Sequence, residues 1–150
     1  MNESNLWSLS ATELRNAYMA RTLSPVEVLE SNLARITTLN PKVNAFHLLM
    51  EENSLLSAKK SEKRWLKDSP SGLLDGIPTA IKDGLFMSSI PIYRGSLANN
   101  ANSNIPTSNA PVVDRMIDSG AIILGKTTMC DYGMLASGYS SKFGPTRNPW

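Results

Sequence analysis

Ile122-Ile123-Leu124 has no polar residue in alternation. Successive side chains of a strand point to opposite faces, so a strand built this way is apolar on both. It needs paired neighbours and covering helices. Just before it, Val112, Val113, Met116 and Ile117 recur at helical spacing, and Gly120 stands where a helix C-cap belongs. Helix, short turn and apolar strand together predict an α/β fold.

The N-terminal half predicts helices first. Ser10-Ala11-Thr12-Glu13 has capping-box spacing, and Leu14, Ala17 and Tyr18 then share a face. Ser24-Pro25-Val26-Glu27 repeats the start signal, with proline where its missing N–H costs nothing. Val26, Leu29, Leu33 and Ile36 follow at helical spacing, and Asn40-Pro41 predicts a stop near Leu39. Val43 to Leu49 is a strand candidate. Glu51 to Lys67 reads as a surface helix with Leu55, Ala58 and Trp65 inward, ended by Ser69-Pro70-Ser71-Gly72. Ile77 to Lys82 is the next strand candidate. Ser88 to Asn109 shows no periodicity, and 99–104 form a polar asparagine-rich loop.

Composition narrows the function classes. A net charge of +2 gives no reason to invoke nucleic acid or a membrane surface. The single cysteine, Cys130, excludes an internal disulfide and a cysteine-based zinc cluster. The single histidine, His47, argues against a histidine metal cluster and an internal Ser-His-Asp triad. No run reaches transmembrane length and no signal-peptide pattern opens the chain, so a cytoplasmic protein is expected.

Lys82 closes the Ile77–Ile81 strand, where α/β enzymes place functional groups. A lysine that works as a base must be neutral part of the time, and desolvation promotes that. Asp83 beside it opposes this, but neighbouring strand residues face opposite sides. Gly120 to Thr127 formally matches a phosphate-binding loop. Its middle four residues, Ala-Ile-Ile-Leu, are the strand itself and do not curl into a phosphate nest. His47 reads as a satisfied polar group in or beside a strand, and Cys130 as a small buried residue. Asp131 and Tyr132 either line a pocket or begin a short helix.

At this point Leu74 to Asp83 resembles the Gly-Ile-Pro…Lys-Asp segment of the amidase signature family. The likeness continues through Arg94-Gly95-Ser96-Leu97, Ala110-Pro111-Val112-Val113, Gly120 to Thr128 and Gly144 to Trp150, in the family's order. Leu23 to Glu27 and Asn44-Ala45-Phe46 resemble its N-terminal helical region. Two departures stand out: Gly84 where asparagine is usual, and Asp131 where glutamate is usual.

The resemblance implies the N-terminal part of an α/β/α sandwich with a mixed central sheet, N-terminal helices first. The helical region would cover about 9–68 and the start of the α/β core about 74–150. It implies hydrolysis of carbon–nitrogen amide bonds by a Ser-Ser-Lys triad, with no cofactor and no metal. Lys82 takes the lysine role, accepting a proton from a bridging serine in a cis peptide, which activates the nucleophilic serine. An acyl-enzyme and an oxyanion hole of backbone N–H groups belong to the same mechanism. Tyr132 and Gly133 are the substrate-binding candidates. A small-molecule amide is the implied substrate, with a homodimer of the full-length protein as the expected assembly.

The family's two serines lie in a Gly/Ser-rich stretch that follows the Asn-Pro-Trp segment, and these 150 residues do not contain it. Ser88-Ser89 and Ser140-Ser141 lack the flanking glycines. The 150 residues alone are therefore expected to be inert and poorly folded. Arg94 to Leu97 and Thr146 to Trp150 look more like general amidases than the A component of the glutamyl-tRNA amidotransferase. An amidotransferase component of that kind, a non-catalytic remnant and a nucleotide binder are the competing readings. Lys82→Ala is expected to be far more damaging to turnover than Lys126→Ala.

Overall fold

The computed structural model describes residues 3–100 and 104–150. Ala101, Asn102 and Ser103, in the asparagine-rich loop, lie outside the described residues. The element order is α1 (Ala11–Met19), α2 (Pro25–Val43), β1 (Phe46–Leu49), α3 (Glu51–Leu66), β2 (Pro78–Lys82), α4 (Pro111–Asp118), β3 (Ile122–Thr127), β4 (Tyr139–Ser140) and β5 (Gly144–Pro145). Short 3-10 turns span Glu3–Ser8 and Asp131–Gly133.

The larger sheet has the order β1-β3-β2. β1 runs antiparallel to β3, pairing Phe46 with Thr127, Leu48 with Lys126 and Leu49 with Gly125, with an irregularity between Phe46 and Leu48. β2 lies parallel to β3: Ile122 N–H donates to Ile77 O, and Asp83 N–H to Thr127 O. A parallel pair needs a long crossover, which the segment carrying α4 supplies. The sheet is therefore mixed, as expected. β3 is central and its first five residues are all buried, whereas β2 stands at the edge with its second half alternating exposed, buried, exposed. Among the described residues β2 pairs on one side only.

The chain divides into two compact units. One comprises Met1–Thr38, Met50–Thr79 and Arg115–Leu124; the other comprises Leu39–Leu49, Ala80–Asp114 and Gly125–Trp150.

In the first unit α1 opens on the full capping box, Ser10 Oγ accepting from Glu13 N–H and Glu13 accepting from Ser10 N–H. Leu6, Leu14, Tyr18, Val28, Trp65 and Ile77 form its core, with the Tyr18 and Trp65 rings 5.8 Å apart. α3 turns inward not Leu55, which is half-buried, but Ser54, Ala58, Ser61 and Trp65. Ser54 Oγ donates to Ile123 O at 2.7 Å. α4 ends as a Schellman turn: Gly120 N–H bonds Ile117 O, Ala121 N–H bonds Met116 O, and Gly120 has φ +88°. Only Val113 of the expected α4 face is buried; Met116 is half-buried, while Val112 and Ile117 are exposed.

The segment ahead of β2 is clamped by Asp75. Its buried carboxylate accepts two bonds from Arg64, at 2.6 and 2.8 Å, one from Ser61 Oγ and one from Ser71 N–H. Tyr18 Oη donates to Gly76 O, and Trp65 Nε1 to Asp75 O. This network fixes where β2 begins.

α2 does not stop near Leu39 but runs to Val43 with Pro41 inside it. Proline removes one helical bond there, in the last turn, where few bonds remain to be lost. Asn44 N–H still reaches Asn40 O, and Asn40 Oδ1 accepts from Ala45 and Phe46 N–H. That side chain turns the backbone from helix into β1.

Burial alone pushes the Asp75 carboxyl up, but Arg64, Ser61 and Ser71 outweigh it and hold it below its usual range. A depressed carboxyl stabilises fully above the unfolded-chain value of about 3.9, and that stabilisation is lost as pH falls through the lower native value. In the full-length protein Asp75→Asn is therefore expected to cost about 3 kcal/mol at neutral pH by urea unfolding. The gap from wild type should narrow as the solution is acidified. A gap independent of pH would remove the charge from this account.

Candidate active site

β2 ends on alternation: Ile81 is buried, Lys82 exposed and Asp83 buried. The two charged neighbours thus face opposite ways. Lys82 lines an open cleft of about 300 Å³ with Thr128, Met129, Cys130, Gly133 and Thr146 among its walls. No hydrogen bond or ion pair among the described residues engages the Lys82 amine. Among the described residues its side chain is exposed.

Asp83 is the opposite case. Its side chain is fully buried. Oδ2 accepts from Gly95 N–H at 2.8 Å and Oδ1 from Tyr93 N–H at 3.2 Å. Lys126 Nζ stands 3.9 Å from Oδ1, and its side chain too is fully buried. That ammonium donates to Leu85 O at 2.7 Å and to Asp83 O at 3.4 Å. Leu85 N–H in turn bonds Lys82 O, closing the turn after the strand. Gly95 has φ +69°, and a Cβ there would lie 2.2 Å from Met129 O, so only glycine lets its N–H approach the carboxylate.

His47 Nε2 lies 3.4 Å from Asp83 Oδ1. This is an electrostatic contact and not a hydrogen bond, because Nε2 meets no partner in hydrogen-bond geometry among the described residues. The imidazole is wedged against Phe143, with ring centroids 4.3 Å apart, and meets Tyr93 edge-on. The sequence suggests a satisfied polar group in or beside a strand: His47 does lie in β1, but its buried Nε2 has no hydrogen-bond partner among the described residues. Burial alone raises the Asp83 carboxyl; His47 and the Gly95 and Tyr93 N–H groups reverse this and hold it below its usual range. Burial pushes the Lys126 ammonium down, and Asp83 partly restores it.

The remaining candidates separate. Gly133 lines the cleft with Lys82. Tyr132 does not; it is exposed, with φ +52° and its N–H bonded to Arg94 O. Asp131 begins the short 3-10 turn and accepts from Ser141 N–H and Oγ, which lower its carboxyl. Ser140 is buried and donates to Gly95 O. Cys130 is buried, its thiol donating to Leu135 O. Residues 122–127 are strand β3, so no phosphate loop forms there. Among the described residues no group of acidic, histidine or cysteine side chains is arranged to hold a metal ion. Among the described residues no helix is long and apolar enough to cross a membrane.

Comparison with known proteins gives one consistent family. The sequence profile described as Amidase matches residues 27–150. The chain is 37% identical over 145 residues to the A component of the mitochondrial glutamyl-tRNA(Gln) amidotransferase of Ixodes scapularis, covering 95% of this chain and 28% of that protein. Its fold matches the native peptide amidase of Stenotrophomonas maltophilia with a TM-score of 0.85 at 27% identity, over 97% of this chain and 31% of that one. A bacterial aryl acylamidase of the amidase signature enzymes matches with a TM-score of 0.86 at 27% identity, over 94% and 29%. The chain thus spans less than a third of the length of these proteins.

The sequence reading made Lys126→Ala mild beside Lys82→Ala. The burial of Lys126 adds a stability loss which that reading did not contain. In the full-length protein Lys126→Ala deprives the buried Asp83 carboxylate of its cation and is expected to lower unfolding stability by about 3–5 kcal/mol; a loss under about 1 kcal/mol would mean the pair is solvated. Titration calorimetry with Mg-ATP is expected to show no saturable heat, and micromolar saturable binding would restore the phosphate-loop reading.

Proposed function

The chain belongs to the amidase signature family, and we propose that it supplies the lysine of an amide-hydrolysing site, Lys82. The observation that supports this most is the split at the end of β2. Lys82 faces a cleft with no counter-ion among the described residues, while Asp83 is turned into the interior and occupied there. A lysine paired to its neighbouring carboxylate would be held protonated and useless as a base.

In the proposed reaction the Lys82 amine takes the proton of a bridging serine, which takes that of the nucleophilic serine. The serine oxygen attacks the amide carbonyl. The leaving amine departs with the proton passed back from Lys82, and water then releases the acyl group by the same relay. Gly133, in the cleft wall, is a candidate for substrate contact, with Tyr132 beside it in sequence. The substrate is a small amide and no cofactor takes part. A cytoplasmic location and a homodimer of the full-length protein belong to the same proposal.

A second reading has its own support. Curated relatives that cover nearly the whole chain include the A components of glutamyl-tRNA(Gln) amidotransferases from an animal and from the bacterium Symbiobacterium thermophilum, the latter at 38% identity. In that reading the amide is the side chain of glutamine and the ammonia released is passed to a partner. Ammonia release from glutamine, against release from simple aliphatic and aryl amides, separates the two.

In the full-length protein, Lys82→Ala is expected to lower kcat by about three orders of magnitude or more while leaving the melting transition in place, because the base acts in the transition state. Near-normal turnover would end the assignment. The 150 residues alone, which contain no Gly/Ser-rich serine pair, are expected to release no ammonia from either substrate class.

A further inference from the structure

Lys126 is a completely buried lysine that the proposed chemistry does not use. Buried ammonium groups are costly unless paired, and burying one beside a second buried charge needs a reason. Its contacts converge on the residues that follow Lys82. One bond goes to Leu85 O and a longer one to Asp83 O, with the Asp83 carboxylate 3.9 Å away. From β1, His47 faces the same carboxylate, and the Tyr93 and Gly95 N–H groups complete its shell. On the cleft side, among the described residues, the titratable wall residue besides Lys82 is Cys130, whose thiol donates to Leu135 O.

We propose that Lys126 is a positioning residue for Lys82: it holds the Asp83 carboxylate and the turn carbonyls inside, so that the strand end presents the Lys82 amine to the cleft without a counter-ion. Lys126 matters to catalysis in this way only if Lys82 is the base, the reading given above. The physical reason is proximity. Asp83 follows Lys82 at the end of β2, and its interior partners, together with the backbone alternation, keep its carboxylate from turning outward to pair with the amine. With Lys126 gone, a buried carboxylate loses its nearest cation, and rotation toward the Lys82 ammonium becomes the way to stay charged. The cleft would then hold an ion pair in place of an unpaired lysine.

Competitive labelling of lysines with acetic anhydride, read by peptide mass spectrometry, reports the free-amine reactivity of Lys82 with the exposed Lys59 and Lys60 as internal references. It requires no catalytic activity, so its outcome is independent of whether Lys82→Ala abolishes turnover. In Lys126→Met, whose side chain has similar length without the charge, Lys82 labelling at pH 8 is expected to fall about five-fold or more relative to Lys59 and Lys60. Adding Asp83→Asn to Lys126→Met is expected to restore it to the wild-type rate, since no carboxylate is left to pair. A merely structural role for Lys126 would not give that rescue. Unchanged labelling in a folded Lys126→Met, or a fall that Asp83→Asn does not rescue, overturns the proposal. If Lys126→Met does not fold, the double variant decides, because removing both charges of a buried pair is usually tolerated. Its Lys82 labelling is expected to equal wild type; faster labelling would mean that Asp83 already pairs with Lys82 in the native protein, and would overturn the proposal.

Discussion

A buried carboxylate beside an exposed lysine is the constraint around which the end of β2 is arranged. Asp83 has no solvent to solvate it, so its charge must be met from inside. Two backbone N–H groups, an imidazole and a buried ammonium do this. They come from three segments, so the carboxylate ties β1, β3 and the loop after β2 to one point. Lys126 then does the same for the carbonyls of the turn. Removing either charge alone leaves the other stranded, which is why the pair acts as one unit.

The start of β2 has its own anchor of the same kind. Asp75 is met by Arg64, Ser61 and Ser71, and the flanking carbonyls are bonded by Tyr18 and Trp65. A short edge strand makes few ladder bonds, and pairing on one side alone leaves it free to fray. Fixing the chain before and after it by buried carboxylates places Lys82 without relying on the ladder. The two anchors also differ in chemistry. Asp75 uses a bidentate guanidinium that is partly exposed, whereas Asp83 uses a fully buried ammonium.

Local codes were readable in the sequence. The capping box at Ser10, the glycine cap at Gly120 and the apolar run of β3 each specify their element within a few residues, and each is where it was expected. The family likeness extended this to the mixed sheet. What escaped was non-local. His47, Asp83 and Lys126 lie far apart in sequence, and no spacing rule brings them together. The inward serines of α3 escaped for another reason: serine is usually exposed, so attention went to Leu55. Yet Ser54, Ala58, Ser61 and Trp65 recur at helical spacing, and a stripe of small residues was the available signal. The end of α2 was misplaced because Pro41 dominated the reading. The compensating bonds come from the Asn40 side chain, which the proline rule does not consider. That β2 has a neighbour on one side only among the described residues is set by sheet order, not by composition.

The most direct test of Lys82 as the base is a crystal structure of the full-length protein after reaction with a serine-directed fluorophosphonate. The account requires Lys82 Nζ within hydrogen-bond reach, about 2.6–3.2 Å, of a serine hydroxyl adjacent to the modified serine. Asp83 should still be turned inward on Lys126. A modified serine whose hydrogen-bond chain ends on another base, with Lys82 paired to Asp83 or pointing to solvent, would contradict it.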